Sequence, residues 1–135
     1  MRRFAEGTVV PVERSRVRIE ALLKREGASH IGTMTEPDKA TVYCRMKNRE
    51  LQLRVPLNQS ERETRRRWRV LLLTLKANFE AVHSGLVTFD RAFLSYVVVP
   101  GSANTIGELL APRLDALYKG LGLKALLADT TKEGA

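Results

Sequence analysis

The chain has 135 residues, of which 44% are hydrophobic and 28% are charged, and these proportions are ordinary for one soluble globular domain. Its formal net charge is +8, from 23 basic and 15 acidic residues. The single cysteine, Cys44, excludes an internal disulfide and any zinc site built from several cysteines. No run approaches about 18 apolar residues, so the sequence predicts neither a membrane-spanning helix nor a membrane partner.

The positive charge is unevenly distributed along the chain. Residues 1–76 hold 18 basic against 9 acidic residues, whereas residues 77–135 hold 5 against 6. The excess peaks at the run Arg65-Arg66-Arg67-Trp68-Arg69. A basic half joined to a neutral half is typical of a protein with one face that meets a polyanion. Nucleic acid and an acidic protein surface are the two partners that fit such a face.

Residues 1–14 are predicted to form a flexible arm with a short strand at Thr8–Val12. The first ten residues lack the apolar stretch of a signal peptide, so we expect a cytoplasmic protein. A helix is predicted from Ser15 to Glu26, because apolar residues recur there at helical spacing. Gly27 is expected to end this helix in the left-handed conformation that glycine adopts most easily.

Three antiparallel strands are predicted next, at Ser29–Thr35, Ala40–Lys47 and Glu50–Leu57. A turn at residues 36–38 separates the first two, and Asn48-Arg49 is predicted to close the hairpin between the others. Apolar and polar residues alternate along the second and third strands, which predicts one apolar sheet face. The opposite face is predicted to carry polar side chains, namely Tyr43, Arg45, Lys47, Gln52 and Arg54.

The clearest helical pattern in the chain runs from Ser60 to Ser84-Gly85. Ser60 and Glu63 have the spacing of a capping box at its start. Apolar residues recur along it at helical spacing: Trp68, Leu71, Leu72, Leu75, Phe79 and Val82. Since Trp68 belongs to this stripe, its indole is predicted to lie in the core rather than to stack on a base.

Two shorter helices are predicted towards the C-terminus. Thr88 is expected to cap the first, and Thr105 with Glu108 forms a second capping box that opens the other. Pro112 is expected to kink or split that helix. Val97–Val99 is a candidate fourth strand, as is the N-terminal arm.

These elements predict an α+β fold in the order α-β-β-β-α, followed by a helical C-terminal extension. The helices need a surface on which to bury their apolar stripes, and the apolar sheet face is the large one that the sequence offers. We therefore expect a three- or four-stranded antiparallel sheet covered on one face by helices. Residues 1–127 are predicted to form a single domain, with residues 128–135 as a loose tail.

One flank of the long helix is the first candidate site. At about 100° per residue, five cations fall beside its apolar stripe. They are Arg62, Arg65, Arg66, Arg69 and Lys76. Cations near a helix N-terminus oppose the macrodipole by roughly 0.3–1 kcal/mol each, so this arrangement indicates an external anion such as phosphate. The alternative is a solvated helix face with Glu–Arg pairs.

The polar face of the sheet is the second candidate site. Tyr43 beside Arg45, Lys47 and Arg54 combines a stacking surface with several cations, as in proteins that bind single-stranded nucleic acids. The alternative is an ordinary solvent-exposed sheet face that carries a strand-favouring tyrosine. The sequence leaves both alternatives open.

No group of residues indicates catalysis. Asp38 followed by Glu50 and Gln52 is faintly similar to the acidic constellation of restriction-type nucleases, but Asp38 falls in a predicted turn. A metal-dependent nuclease is therefore the least favoured hypothesis. His30 and His83 lack the spacing of metal ligands, and no glycine-rich phosphate loop is present, so we predict no metal, cofactor or active site.

Two resemblances accompany these elements. Over about Ser15–Gly85, the order of elements and the basic residues that open the last helix are similar to the double-stranded RNA-binding domain, with arginines in place of that family's lysines. Residues 8–28 and 66–112 resemble small proteins encoded by bacteriophages and prophages, a family without an assigned activity. The second resemblance implies a bacterial or phage cytoplasmic setting, with a role in phage DNA metabolism or host interference.

The sequence therefore predicts a non-catalytic nucleic-acid-binding protein of phage or mobile-element type with low sequence specificity. Its ligand would be DNA or RNA, single- or double-stranded, and its oligomeric state stays open. The alternative is an adaptor or inhibitor that docks its basic face on an acidic host protein. Salt-sensitive binding to mixed-sequence oligonucleotides separates the two hypotheses.

Overall fold

The computed structural model describes residues 2–58 and 60–121, with side chains described from residue 12 to residue 120. Within these ranges the helices are α1 (Arg2–Arg25), α2 (Glu61–His83), α3 (Phe89–Phe93), α4 (Ile106–Leu110) and α5 (Leu114–Ala116). The strands are β1 (Ser29–Thr35), β2 (Lys39–Met46) and β3 (Arg49–Pro56). The predicted α+β class and the order α-β-β-β-α are confirmed. The predicted tail at 128–135 lies outside the described residues.

The three strands form one antiparallel sheet in the order β1-β2-β3. β2 and β3 pair without irregularity from Lys39 opposite Pro56 to Met46 opposite Arg49. Alternate side chains therefore lie on opposite faces, and one face is apolar as predicted. The buried side chains of this face are Ala40, Val42, Cys44, Met46, Leu51, Leu53 and Val55.

The sheet gains no fourth strand from the described residues. Val97 makes one isolated antiparallel bridge to Leu51, and the Val98 N–H donates to Glu50 O at 2.8 Å. The chain then turns at Pro100-Gly101 before a longer ladder can form. This segment covers part of the outer edge of β3, which would otherwise expose unpaired backbone groups.

The turn between β2 and β3 lies one residue earlier than the sequence predicts. Lys47 and Asn48 occupy it, with φ angles of 51° and 64°. Two positive φ values give a turn whose twist matches that of the flanking strands, and this geometry leaves Arg49 to pair with Met46 in the ladder. Lys47 is therefore a turn residue and not part of the strand face on which it was predicted.

The predicted short strand at Thr8–Val12 is wrong, because α1 includes these residues. Three valines give the segment local β propensity, but propensity is a weak prior that its surroundings override. A helix already formed from Ser15 onwards extends without a new nucleation step, although Pro11 has no N–H to donate within it. The predicted end of this helix is confirmed, since α1 stops at Arg25 and Gly27 has a φ of 99°.

α1 and α2 pack side by side on the apolar face of the sheet and form the main core with it. The buried helical side chains are Ile19, Leu22, Leu23, Trp68, Leu72, Leu75 and Phe79. Trp68 is only 3% exposed, so its predicted place in the core is confirmed. No helix within the described residues is long and apolar enough to cross a membrane.

The C-terminal part of the described chain closes one end of this core. Phe93 of α3 is fully buried, and its ring centroid lies 4.8 Å from those of both Phe79 and Phe89. The predicted capping box of Thr105 and Glu108 forms at the start of α4. Pro112 lies in a 3₁₀ turn that separates α4 from α5, so the predicted split is confirmed.

Candidate nucleic-acid interface

The N-terminal half of α2 presents four arginines to one recess beside α1. The recess has a volume of about 240 Å³. Its lining residues are Ser15, Arg62, Arg65, Arg66 and Arg69. Lys76, the fifth cation predicted on this flank, is exposed two turns further along α2 and does not line the recess. The structure thus brings together four of the five predicted helix residues.

Glu61 and Glu63 are the acidic residues nearest these arginines along the chain, and of the two only Glu63 forms ion pairs. The Ser60 hydroxyl caps α2 by accepting a hydrogen bond from the Glu63 N–H at 3.2 Å. The Glu63 carboxylate instead lies 3.1 Å from Arg66 and 3.6 Å from Arg67, so only half of the predicted capping box forms. One carboxylate therefore serves two guanidinium groups, and most of the positive charge at the recess stays uncompensated.

Arg62 and Arg69 are exposed, and no described side chain forms an ion pair with either. Arg65 is half-buried, and its Nε has no hydrogen-bond partner among the described residues. An unpaired buried donor costs roughly 1–3 kcal/mol, and no described residue offsets that cost at this atom. The fold therefore supplies no ion pair for Arg62 or Arg69 and no hydrogen bond for Arg65 Nε.

Arg67 differs from its neighbours in the RRRWR run, as the helical pattern predicts. It lies on the other flank of α2, where its guanidinium donates to Pro56 O at 3.3 Å. This hydrogen bond connects the N-terminal half of α2 to the end of β3. Arg67 therefore belongs to the packing of the helix on the sheet and does not line the recess.

Arg54 on the sheet face is held by tertiary contacts. Its guanidinium lies 2.6 Å from the Glu108 carboxylate and donates to Gln52 Oε1 at 2.7 Å and to Ala103 O at 3.3 Å. The side chain is 26% exposed. These bonds join β3 to the start of α4, so packing of the C-terminal part accounts for this arginine without an external anion.

Tyr43 and Arg45 line a second recess of about 370 Å³ on the sheet face, with His30 and Gln52 among its other lining residues. The Tyr43 hydroxyl lies 3.9 Å from the sulfur of Met34. Tyr43 and His30 are the two residues with aromatic rings that line this recess. The surface therefore offers one tyrosine and one histidine, where platforms for single strands typically stack successive bases on several aromatic side chains.

Arg45 on the sheet face and Lys47 in the β2–β3 turn also have partners. Arg45 lies 3.9 Å from the Glu50 carboxylate. Lys47 Nζ lies 5.9 Å from the centroid of the Phe89 ring, within the range of a cation–π contact. The nine predicted site residues thus fall into a set of five on α2 and a set of four on β2, β3 and the turn between them. More members of the second set form ion pairs, hydrogen bonds or ring contacts within the protein.

Ser15 is the lining residue that the sequence analysis missed. It belongs to the recess only because α1 packs beside α2, and no local pattern in the sequence marks that contact. Among the described residues, no group of three or more His, Cys, Asp or Glu side chains could hold a metal ion.

Comparison with known proteins identifies no relative of this chain. No family model, curated protein or solved structure matches the chain. The resemblances to phage-encoded proteins and to the double-stranded RNA-binding domain therefore stay predictions.

Proposed function

We propose that the chain is a non-catalytic nucleic-acid-binding protein of low sequence specificity, which holds backbone phosphates against the arginine recess of α2. The observation that carries this proposal is the convergence of four arginines on one recess, of which only Arg66 forms an ion pair with a described residue. The planar guanidinium fork matches phosphate oxygens in pairs, which makes arginine well suited to this ligand. Contacts to phosphate position a protein on nucleic acid but carry no sequence information.

The contrast with the sheet face supports placing the ligand at α2. Arg54 bonds Glu108, Gln52 and the backbone, and Lys47 packs against an aromatic ring. The cations at the N-terminal half of α2 instead oppose the helix macrodipole, and the described residues do not compensate most of them. An external polyanion would offset that cost. The phage or mobile-element setting that we propose depends on the sequence resemblance alone.

Salt-dependent binding tests the proposal. Fluorescence anisotropy with labelled DNA and RNA oligonucleotides, single- and double-stranded and of mixed sequence, should show log affinity falling linearly with log salt concentration. The slope should be near −0.9 per phosphate neutralised on duplex DNA and near −0.7 on single strands, roughly. The variant Arg62→Gln/Arg66→Gln/Arg69→Gln should bind all sequences more weakly, with a slope shallower by about 2–3.

A charge-matched control separates this recess from net charge. Lys24, Arg91 and Lys119 are exposed and lie away from the recess, so their replacement by Gln removes the same charge. This control should keep nearly wild-type affinity and slope. If both variants bind oligonucleotides equally weakly, the loss comes from the lower net charge of the protein and not from the recess. Absence of binding by the wild-type protein at ~50 mM salt would reject the proposal and favour an adaptor that docks on an acidic protein.

A further inference from the structure

We infer that α1 supplies a second row of binding residues, Arg14 and Arg18, so that the nucleic-acid site spans two helices. The inference rests on the proposed function and extends the site beyond the cations of α2. It starts from Ser15, which lines the arginine recess although it belongs to α1. One flank of α1 therefore takes part in forming the surface.

The contacts of α1 show which flank this is. Glu20 accepts a hydrogen bond from the Thr33 hydroxyl at 3.1 Å, so the flank that carries Glu20 faces β1. Ser15 lies on the other flank, towards α2. Arg18 follows Ser15 by three residues and Arg14 precedes Arg18 by four, and both spacings place side chains on the same side of a helix. Neither side chain lines the recess itself. The spacing places Arg18 beside Ser15 on the flank towards α2, and Arg14 next to Arg18 at the outer edge of that flank.

The acidic residues nearby do not neutralise this pair. The acidic side chains of residues 12–26 are each engaged elsewhere: Glu13 with Arg16 at 2.6 Å, Glu20 with Thr33 at 3.1 Å and Glu26 with His83 at 2.8 Å. Arg14 and Arg18 are exposed, and neither forms an ion pair with a described residue. Like charges four residues apart destabilise a helix, so folding alone does not explain the pair.

The two rows are suited to one backbone ligand. Helices in contact lie roughly 8–10 Å apart, so cations on the adjoining flanks of α1 and α2 are within reach of one nucleic-acid backbone. No aromatic side chain lines the recess, and Trp68 is buried in the core. The surface therefore contacts phosphates and not bases. A chain of phosphates that follows the recess meets both rows, and each row adds to the number of phosphates neutralised.

A pair of variants on the same helix tests the inference. Arg14→Gln/Arg18→Gln removes the proposed row, whereas Arg16→Gln/Lys24→Gln removes the same charge from other faces of α1. In the anisotropy experiment, the first variant should weaken binding to all sequences and lower the magnitude of the salt slope by roughly 0.7–0.9 per arginine. The second should keep the slope of the wild-type protein. Equal slopes for the two variants would overturn the inference.

This outcome is distinguishable from failure of the proposed function. If the α2 variant loses binding while both α1 variants bind as the wild-type protein does, the proposed function stands and the α1 row is wrong. If the wild-type protein binds no oligonucleotide, both are wrong.

A protection experiment tests the same surface without removing an arginine. Ser15→Cys places a thiol in the recess, and Val17→Cys places one on the outward face of α1, where the native valine is 58% exposed. Bound oligonucleotide should slow maleimide labelling of the first variant and leave that of the second unchanged. Unchanged labelling at residue 15 under saturating oligonucleotide would contradict a ligand that spans both helices.

Discussion

The arginines of this chain differ in whether the fold supplies an acidic partner for the guanidinium group. Arg54 is joined to Glu108 at 2.6 Å and Arg49 to Asp90 at 2.8 Å, and both bonds link the sheet to the C-terminal part. Arg62 and Arg69 have no such partner among the described residues. The same side chain therefore serves tertiary packing at one position and is available to an external anion at another.

At the same scale, burial determines the ionisation and reactivity of the Cys44 thiol. Its side chain lies on the core face of β2 and is 4% exposed, and desolvation of the thiolate raises its pKa from 9.0 to about 11. The thiol therefore stays neutral in the folded protein at pH 7. A neutral buried thiol is a poor nucleophile, so Cys44 acts as a small apolar side chain of the core.

This pKa shift predicts a loss of stability at alkaline pH. Below pH 9.0 the thiol is protonated in both states, and its full contribution to stability is present. Between pH 9.0 and about 11 it ionises in the unfolded chain but not in the folded protein, so the free energy of unfolding falls. Two pKa units correspond to about 2–3 kcal/mol. Urea unfolding across this interval, followed by Trp68 fluorescence, measures the fall.

The variant Cys44→Ala provides the control, because the other groups that titrate in this interval are common to both proteins. Its free energy of unfolding should fall less steeply between pH 9.0 and about 11 than that of the wild-type protein. Parallel curves for the two proteins would show that burial does not shift the pKa of Cys44.

At the scale of elements, α4 is held against the 3₁₀ turn Leu94–Tyr96 by a close backbone approach. A Cβ atom at Gly107 would lie 2.9 Å from both the Cβ and the carbonyl oxygen of Ser95. The Ile106 N–H also donates to Val97 O at 2.8 Å. The absence of a side chain at residue 107 therefore lets α4 reach the position from which Glu108 bonds Arg54.

Gly107→Ala should consequently destabilise the protein. The added methyl group meets backbone atoms that cannot rotate away, and overpacking of this kind typically costs about 1–3 kcal/mol. Gly32→Ala is a matched control, since a Cβ at that position has no atom within 4 Å. Urea denaturation should give a lower midpoint for the first variant and a midpoint close to wild type for the second. An unchanged midpoint for Gly107→Ala would show that α4 shifts without cost.

Elements with a strong local pattern could be predicted from the sequence, and those decided by distant contacts could not. The capping residue, apolar stripe and stop of α2 lie within the helix itself, and the structure places them as predicted. The predicted β2–β3 turn is one residue too late, because the pairing register of both strands fixes the position of the turn. The helical conformation of residues 8–12 was missed because their local β propensity gave the opposite indication.

At the scale of the molecule, the sequence predicts the arginine flank of α2 but not the recess that this flank forms with α1. Periodicity places Arg62, Arg65, Arg66 and Arg69 on one flank, which is a property of a single helix. The contribution of Ser15 depends on the packing of α1 beside α2, and the engagement of Arg54 depends on a residue 54 positions away. The periodicity of a single helix or strand predicts neither of these two contacts.

The resulting concentration of charge predicts that salt stabilises the free protein. The chain carries a net charge of +8, and four of its arginines line one recess in the absence of a ligand. Like charges at this distance repel in the folded state, and salt screens them because the Debye length falls from about 30 Å at 0.01 M to about 10 Å at 0.1 M. The melting midpoint should therefore rise with sodium chloride over this interval.

The recess variant identifies the source of this effect. Arg62→Gln/Arg66→Gln/Arg69→Gln should melt higher than the wild-type protein at low salt and should respond less to added salt. A relief of 1 kcal/mol corresponds to roughly 3–5 °C for a domain of this size. The control in which Lys24, Arg91 and Lys119 are replaced by Gln should respond to salt as the wild-type protein does, because its changes leave the recess intact. A midpoint that falls with salt in the wild-type protein would mean that attractive ion pairs such as Arg49–Asp90 outweigh the repulsion, and the electrostatic strain that supports a polyanion ligand at α2 would then be absent.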